Sequence, residues 1–228
     1  MSNHFPNLKK YLQNRALARS IACKNFFENN PNAKLLTNCI NEIVANLTFQ
    51  TCEINFSKIK NGDYITNLVV SFCRSHFIAM DLILGSELIE AAVLIRKQLE
   101  LLSRLNELLV VFDIANLEKK TPNLKHLKTD IKKLYNDYSE VAHSSAQKPL
   151  QLLGRIQKNN STHTPVYPEF QANSYVTLQH LAITVFEYFV WFETFFQSAE
   201  LKFEKSKNLE LINSAIEYYT HLEKPPLP

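Results

Sequence analysis

The chain has 228 residues, a formal net charge of +3 and charges of both signs interspersed along its length, a pattern that does not by itself indicate nucleic-acid or membrane binding. It contains only three glycines and no glycine-rich phosphate loop, which argues against ordinary nucleotide cofactors and against a sheet joined by tight turns. The four cysteines stand at irregular spacings without a C-x-x-C pair, so we expect buried, reduced thiols.

Helix start signals are clear along the chain. Asn30 precedes Pro31, and Thr121 precedes Pro122, so each pair predicts an N-cap followed by the first helical residue. A glycine followed by a serine at 85–86 predicts the end of one helix and the cap of the next. The predicted helices are, in chain order, 7–29, 31–49, 64–84, 86–113, 122–146, 173–204 and 207–221.

Apolar residues recur at helical spacing in most of these segments, so each helix has one face to bury. Long rods of this kind pack side by side with their apolar faces inward. We therefore predict an all-α fold, an antiparallel helical bundle of about six to seven helices that forms a single domain over residues 1–228. Residues 51–62 and 147–172 are predicted as loops.

Two features bear on location and assembly. The N-terminal residues lack the apolar core of a signal peptide, and the uninterrupted apolar runs are far shorter than a membrane span, so we expect a soluble cytoplasmic protein without a membrane partner. The segment 175–196 is apolar almost all round and rich in aromatic residues. Such a helix is either the centre of the bundle or part of an interface between copies, and we expect a homo-oligomer, in the simplest case a homodimer.

A metal site is the first candidate chemistry. Glu140 and His143 form the E-x-x-H pair of which di-iron bundles use two, but none of the other six histidines has a glutamate three residues before it. A mononuclear site from His76, His143 and His180 is a weaker alternative, and the apolar neighbours of His76 favour a core residue held by hydrogen bonds. We predict no metal and no cofactor.

The second candidate is a polar cluster of Arg96, Glu100 and His143. Arg96 and Glu100 are four residues apart on one predicted helix, where they can pair directly, and His143 borders the apolar face of another. Such a cluster suits the binding or cleavage of a phosphodiester. It equally suits a structural network that fixes the register of two helices.

Three lysines form a possible nucleic-acid contact. Lys125, Lys128 and Lys132 lie on one face of the predicted helix that leads to His143. Such a row is either the solvated side of an amphipathic helix or a ridge that contacts phosphates. RNA is therefore a possible partner.

Motifs within residues 64–146 carry a resemblance. R-x-x-x-E at Arg96 and Glu100 is followed by Y-x-x-Y-S-x-x-x-H-x-S, which starts at Tyr135 and contains His143. The pair resembles a loose group of bacterial all-helical proteins, and that group is distantly similar to the HEPN superfamily. The resemblance implies a helical fold and, in active HEPN members, a metal-independent ribonuclease of toxin and phage-defence systems with an arginine and a histidine at a dimer interface.

This sequence departs from the HEPN pattern at the arginine. Positions 137–139, just before His143 on the same predicted helix, read Asp-Tyr-Ser. Arg96 from the neighbouring helix would have to stabilise the phosphate while His143 transfers protons. We therefore predict an interaction or scaffold module that works as an oligomer, with a HEPN-like ribonuclease as the alternative function.

Overall fold

A computed structural model describes residues 5–110, 114–127, 131–142, 152–154, 156–158 and 161–222. The predicted all-α bundle is confirmed: within the described residues seven helices have eleven residues or more. The helices are α1 (Pro6–Asn29), α2 (Pro31–Cys52), α3 (Gly62–Leu84), α4 (Leu88–Val110), the short α5 (Ile114–Glu118), α6 (Lys132–Ala142), α7 (Asn173–Ser198) and α8 (Lys205–Thr220).

The two segments predicted as loops contain short regular elements. Residues 51–62 hold the end of α2, a 3-10 turn over Phe56–Lys58 and the first residue of α3. Residues 147–172 hold a small antiparallel hairpin of β1 (Ile156–Lys158) and β2 (Ser161–His163). The remaining described residues of both segments lie outside helices and strands, apart from one helical residue at Leu152.

The helix start at Asn30 is confirmed, and the one at Thr121 is wrong. The Asn30 side chain accepts hydrogen bonds from the first backbone N–H groups of α2. Residues 121–123 lie outside any helix, and Asn123 is extended, because α4 holds it from both sides: its N–H donates to Glu107 Oε1 (2.5 Å) and its carbonyl accepts from Ser103 Oγ (2.6 Å). A 3-10 turn over Leu124–His126 follows, and α6 begins only at Lys132.

The junction between α3 and α4 has a different geometry from the predicted serine cap. Ser86 has a φ of 56° and occupies the left-handed position that follows a helix C-terminus. Its N–H donates to Ile83 O (3.0 Å) and the Glu87 N–H donates to Leu82 O (2.8 Å), which is the Schellman pattern. Glu87 then accepts the first hydrogen bond of α4 from Ala91. Ser86 therefore ends α3 and does not cap α4.

The aromatic helix α7 lies in the core, packed against α2, α3 and α4. Trp191 is 1% exposed and donates its indole N–H to Leu105 O of α4 (3.0 Å). Tyr188 stacks on Phe72 of α3, with ring centroids 4.2 Å apart. The near-continuous apolar surface of α7 is thus buried within one chain, which corresponds to the first of the two interpretations of this segment.

Helix α3 is the one helix among the described residues that is long and apolar enough to cross a membrane, judged by length and composition. The core helix of a soluble protein passes the same test. In this chain α3 contacts α1, α2, α4 and α7, and its His76 is completely buried. The expected absence of a membrane partner stays a prediction.

Candidate functional site

The predicted pair of Arg96 and Glu100 forms at the junction of α4 and α6, with a tyrosine as its third member. The Arg96 guanidinium lies 3.3 Å from Glu100 Oε1. The Tyr135 hydroxyl of α6 accepts from Arg96 Nη2 (3.2 Å) and donates to Glu100 Oε1 (3.0 Å). The guanidinium carbon also lies 5.2 Å from the centre of the Tyr135 ring. These contacts join α4 to α6.

The electrostatics of this cluster hold the arginine in place. The hydrogen bond to Tyr135, together with the charge of Glu100, raises the pKa of Arg96 above its usual value despite partial burial. The side chains of Arg96 and Glu100 are 23% and 30% exposed, so the pair lies at the edge of the core. A guanidinium with two protein partners has less capacity left for a phosphate than a free one.

The other predicted site residues lie partly outside the described residues. His143 and Lys128 belong to segments that the structure does not describe, and of Lys132 only the backbone is described. Lys125 is exposed, in the 3-10 turn before α6. The proposed meeting of His143 with Arg96 and the lysine ridge therefore both stay predictions.

A second polar pair joins α6 to α7, and sequence reasoning did not combine its members. Tyr138 Oη and His180 Nδ1 are hydrogen-bonded at 2.6 Å, and the two rings meet edge to face. Burial lowers the pKa of His180 to about 4, against a smaller opposite effect of Asp137. Burial also raises the pKa of the Tyr138 hydroxyl. At neutral pH both groups are uncharged.

A cleft of about 290 Å³ adjoins this pair. Its walls include Val141 and Val176, while His180 and Thr177 supply polar atoms. Because the histidine is neutral at pH 7, it can exchange hydrogen bonds with a ligand but cannot hold an anion by charge. The cleft is smaller than the usual size of a small-molecule site.

Two of the three histidines named as possible metal ligands, His76 and His180, have other partners, and His143 lies outside the described residues. His76 is fully buried, its Nε2 lies 2.8 Å from Asn41 Oδ1, and burial lowers its pKa to about 3. His180 uses Nδ1 for Tyr138. Among the described residues no group of three or more histidine, cysteine, aspartate or glutamate side chains is placed to hold a metal ion. His76 is the hydrogen-bonded core residue that its apolar neighbours favoured.

The third feature is an uncovered apolar surface on the first half of α1. Residues at alternating spacings of three and four form one side of this helix. The last of them, Ala22 and Phe26, are buried in the core, whereas Phe5, Leu8 and Leu12 are 72%, 55% and 51% exposed. The side of the helix that packs on the bundle therefore continues beyond the bundle without a cover.

Ion pairs fix the middle of α1 and so the direction of its uncovered half. Arg15 Nε donates to Glu87 Oε1 (2.8 Å), and Arg19 contacts both Glu87 and Asp81 at 2.5 Å. Gly85 allows this approach, since a Cβ there would lie 3.0 Å from Arg19 Nε. The α3–α4 junction thereby holds α1 at its centre.

The uncovered side of α1 continues onto a neighbouring loop. The rings of Tyr11 and Tyr167 lie 5.5 Å apart, and Asn14 Nδ2 donates to the Tyr167 hydroxyl (3.3 Å). Tyr11, Leu153 and Val166 line one shallow cleft of about 160 Å³, and Val166 is 76% exposed. We call these exposed apolar residues the α1 surface; they are Phe5, Leu8, Tyr11, Leu12, Leu153 and Val166.

Charges of both signs border the α1 surface. Lys9 is exposed on α1 between Phe5 and Leu12, whereas Glu90 lines the cleft and the exposed Glu169 follows the loop. The three-four spacing of α1 was present in the sequence, but only the structure shows which half of the row is buried.

No family model, curated protein or solved structure matches this chain. The HEPN resemblance therefore stays a prediction.

Proposed function

We propose that this protein is an interaction module that acts as a homo-oligomer through the α1 surface. The observation that supports this proposal is the row that ends in the buried Ala22 and Phe26: beyond the ion-paired Arg15 and Arg19 it reaches, at the same spacing, the exposed Leu8, Leu12 and the N-cap residue Phe5. Single exposed apolar residues are ordinary on a protein surface, but a contiguous patch with a polar border is typical of a binding surface. Burial of a leucine or phenylalanine contributes about 1.5–3 kcal/mol, so several of them supply a substantial driving force.

A second copy of the chain is the partner that this surface favours. In a two-fold interface the same patch meets itself, so a suitable patch has an apolar centre and complementary charges at opposite edges. The α1 surface has Lys9 on its helix edge, four residues after Phe5 and three before Leu12, and Glu90 and Glu169 on its cleft edge. A two-fold arrangement brings Lys9 of one copy toward the glutamates of the other. The shallow cleft beside Tyr11 then receives a side chain of the partner's α1.

The mass in solution tests the apolar part of this proposal. We expect the purified protein to behave as a dimer of the 26.4 kDa chain by light scattering, and Leu8→Glu with Leu12→Glu to convert it to a monomer. Ile216→Glu is the matched control, because Ile216 is 46% exposed on α8, away from the α1 surface. A monomeric wild type, or loss of the dimer in the control as well, contradicts the proposal.

Charge reversal tests the orientation of the two copies. Lys9→Glu is expected to weaken the dimer, and so is Glu90→Lys with Glu169→Lys. When all three changes are combined in one chain, the complementary charges are restored and the dimer should return. If the combined variant is weaker than either partial variant, the proposed two-fold arrangement is wrong, even if the protein is a dimer.

The ribonuclease alternative has less support among the described contacts. It depends on His143, which lies outside the described residues, and on Arg96, which Glu100 and Tyr135 already engage. A bacterial, cytoplasmic origin also stays a prediction. Only the interaction module has a described surface that corresponds to the proposed activity.

A further inference from the structure

A third cleft lies where the C-terminal half of α2 meets the start of α8. Its volume is about 500 Å³, within the range of small-molecule sites. Phe49 and Gln50 of α2, Leu201 and Phe196 form much of its lining. The α1 surface has no residue in common with it. This cleft is therefore separate from the surface through which the protein is proposed to form an oligomer.

Two amide side chains in this cleft, the buried Asn208 and the partly buried Asn46, each leave one buried hydrogen-bonding atom without a partner within the described part of the chain. Asn208 is 1% exposed; its Nδ2 donates to Glu204 O (3.1 Å), but its Oδ1 accepts nothing. Asn46 Oδ1 accepts from Lys207 Nζ (3.5 Å), but its buried Nδ2 donates to nothing. A buried polar atom without a partner costs about 1–3 kcal/mol, so a ligand or water that bonds to it has a clear energetic advantage.

One of the two unpartnered atoms, Asn46 Nδ2, is a donor and the other, Asn208 Oδ1, is an acceptor. A ligand that satisfies both must therefore offer an acceptor and a donor. An anion satisfies the Asn46 N–H and repels Asn208 Oδ1, while a metal cation does the reverse. A molecule with a C=O next to an N–H satisfies both. Phe49, which is 72% exposed in the lining, offers an aromatic face to a planar ligand.

We propose that this cleft binds a small planar molecule with a –CO–NH– edge, which is the chemistry of a pyrimidine nucleobase or of a lactam. The ligand's C=O accepts from Asn46 Nδ2, its N–H donates to Asn208 Oδ1, and its ring packs on Phe49. The cleft also contains Lys202 and Lys207 together with Glu53 and Glu204, so its formal charges balance and favour a neutral ligand. Such binding uses no glycine-rich loop.

Nuclear magnetic resonance of the full-length chain tests the proposal, since the side-chain amide signals of Asn46 and Asn208 report directly on the two unpartnered atoms. Uridine and 2-pyridone are the two probes, and their N-methylated forms, 3-methyluridine and N-methyl-2-pyridone, are the matched controls that lack the donor. We expect saturable shifts of both amides with at least one parent compound. We also expect binding at least tenfold weaker with its methylated form.

Uridine and 2-pyridone both carry the –CO–NH– edge, but only uridine is a nucleoside. Binding of uridine alone indicates that the cleft recognises a nucleoside, whereas binding of both compounds indicates that it recognises the –CO–NH– edge. Asn46→Asp removes the donor at constant size and should weaken binding at least tenfold, whereas Asn213→Asp, at an exposed position of α8, should not. Equal binding of the methylated forms, or no shift with any of the four compounds, overturns the proposal and leaves water as the occupant. A normal amide spectrum for each variant verifies folding.

Discussion

Tyr138 Oη lies 2.6 Å from His180 Nδ1 and thereby joins α6 to α7 by a hydrogen bond between a buried tyrosine and a partly buried, uncharged histidine. One turn earlier on α6, Tyr135 contacts Arg96 and Glu100 of α4. The two tyrosines are three residues apart and so project from neighbouring positions of the helix. Helix α6 thus contacts α4 through the Tyr135 hydroxyl and α7 through the Tyr138 hydroxyl.

Tyr138→Phe is expected to destabilise the protein. The change removes only the hydroxyl group, so the ring packing is kept while His180 Nδ1 loses its partner in a mostly buried position. The expected decrease in the free energy of unfolding is about 1–2 kcal/mol, measured by urea denaturation.

Tyr188→Phe is the matched control for that measurement. Tyr188 is fully buried, and within the described part of the chain its hydroxyl group has no hydrogen-bond partner. Removal of this hydroxyl relieves an unsatisfied polar group and should leave stability unchanged or slightly raised. Equal losses in the two variants would show that the Tyr138–His180 hydrogen bond has no stabilising effect of its own.

Acid should destabilise the protein through two histidines, the buried His76 and the partly buried His180. Burial lowers the pKa of His76 to about 3 and that of His180 to about 4, whereas both are near 6.5 in the unfolded chain. Between pH 6.5 and 4 the unfolded state therefore binds more protons, and the free energy of unfolding falls as the pH decreases. The stabilisation is fully present above about pH 6.5, and each histidine contributes a slope of up to about 1.4 kcal/mol per pH unit.

The variant His180→Gln isolates one of these two contributions. Urea denaturation at several pH values between 6 and 4.5 gives the free energy of unfolding at each pH. As the pH falls, this free energy should decrease less steeply in the variant than in the wild type, by up to about 1.4 kcal/mol per pH unit, because glutamine does not titrate. Asp137, which lies near His180, is present in both proteins and its effect on other groups largely cancels. Parallel curves would contradict the assignment of a neutral buried imidazole to His180.

The bundle itself could be predicted from sequence because its signals are local. Asn30 and Pro31 start α2 where proposed, and the apolar spacing located α3, α4 and α7 to within a few residues. The failed start at Thr121 has a non-local cause. Glu107 and Ser103, more than fifteen residues away in the chain, hold Asn123 in an extended conformation. Tertiary hydrogen bonds of that kind override a capping pattern.

The candidate sites could be predicted only in part, for the same reason. Arg96 and Glu100 pair as their spacing on one helix indicates. The contacts of Tyr135 with Glu100 and of Tyr138 with His180 join different helices, and the spacing of residues along one helix does not predict such contacts. The row on α1 is visible in sequence, yet its uncovered half depends on where the bundle ends. Pairing between elements requires three-dimensional packing, which periodicity does not contain.

Arg96→Ala should lower the thermal stability of the protein, and we expect neither the variant nor the wild type to cleave RNA. The change removes the pair with Glu100 and the contacts with Tyr135 that join α4 to α6. Because these side chains are partly exposed, we expect a loss of about 1 kcal/mol or less, seen as a small decrease in the melting temperature. The wild-type protein should leave RNA intact; RNA cleavage that both Arg96→Ala and His143→Ala abolish would instead support the HEPN-like alternative.

Gly62→Ala should be the most damaging of the conservative changes considered for this chain. Gly62 is buried at the first position of α3, and a Cβ there would lie 1.9 Å from the carbonyl oxygen of Phe56, so the backbone of the preceding turn has to move. We expect a loss of about 3 kcal/mol in the free energy of unfolding, although alanine is intrinsically the better helix former. Gly85→Ala is the comparison: its nearest contact is the flexible Arg19 side chain at 3.0 Å, which can shift, so the loss should be smaller. If Gly62→Ala unfolds at the same urea concentration as the wild type, the close approach of Phe56 to the start of α3 is wrong.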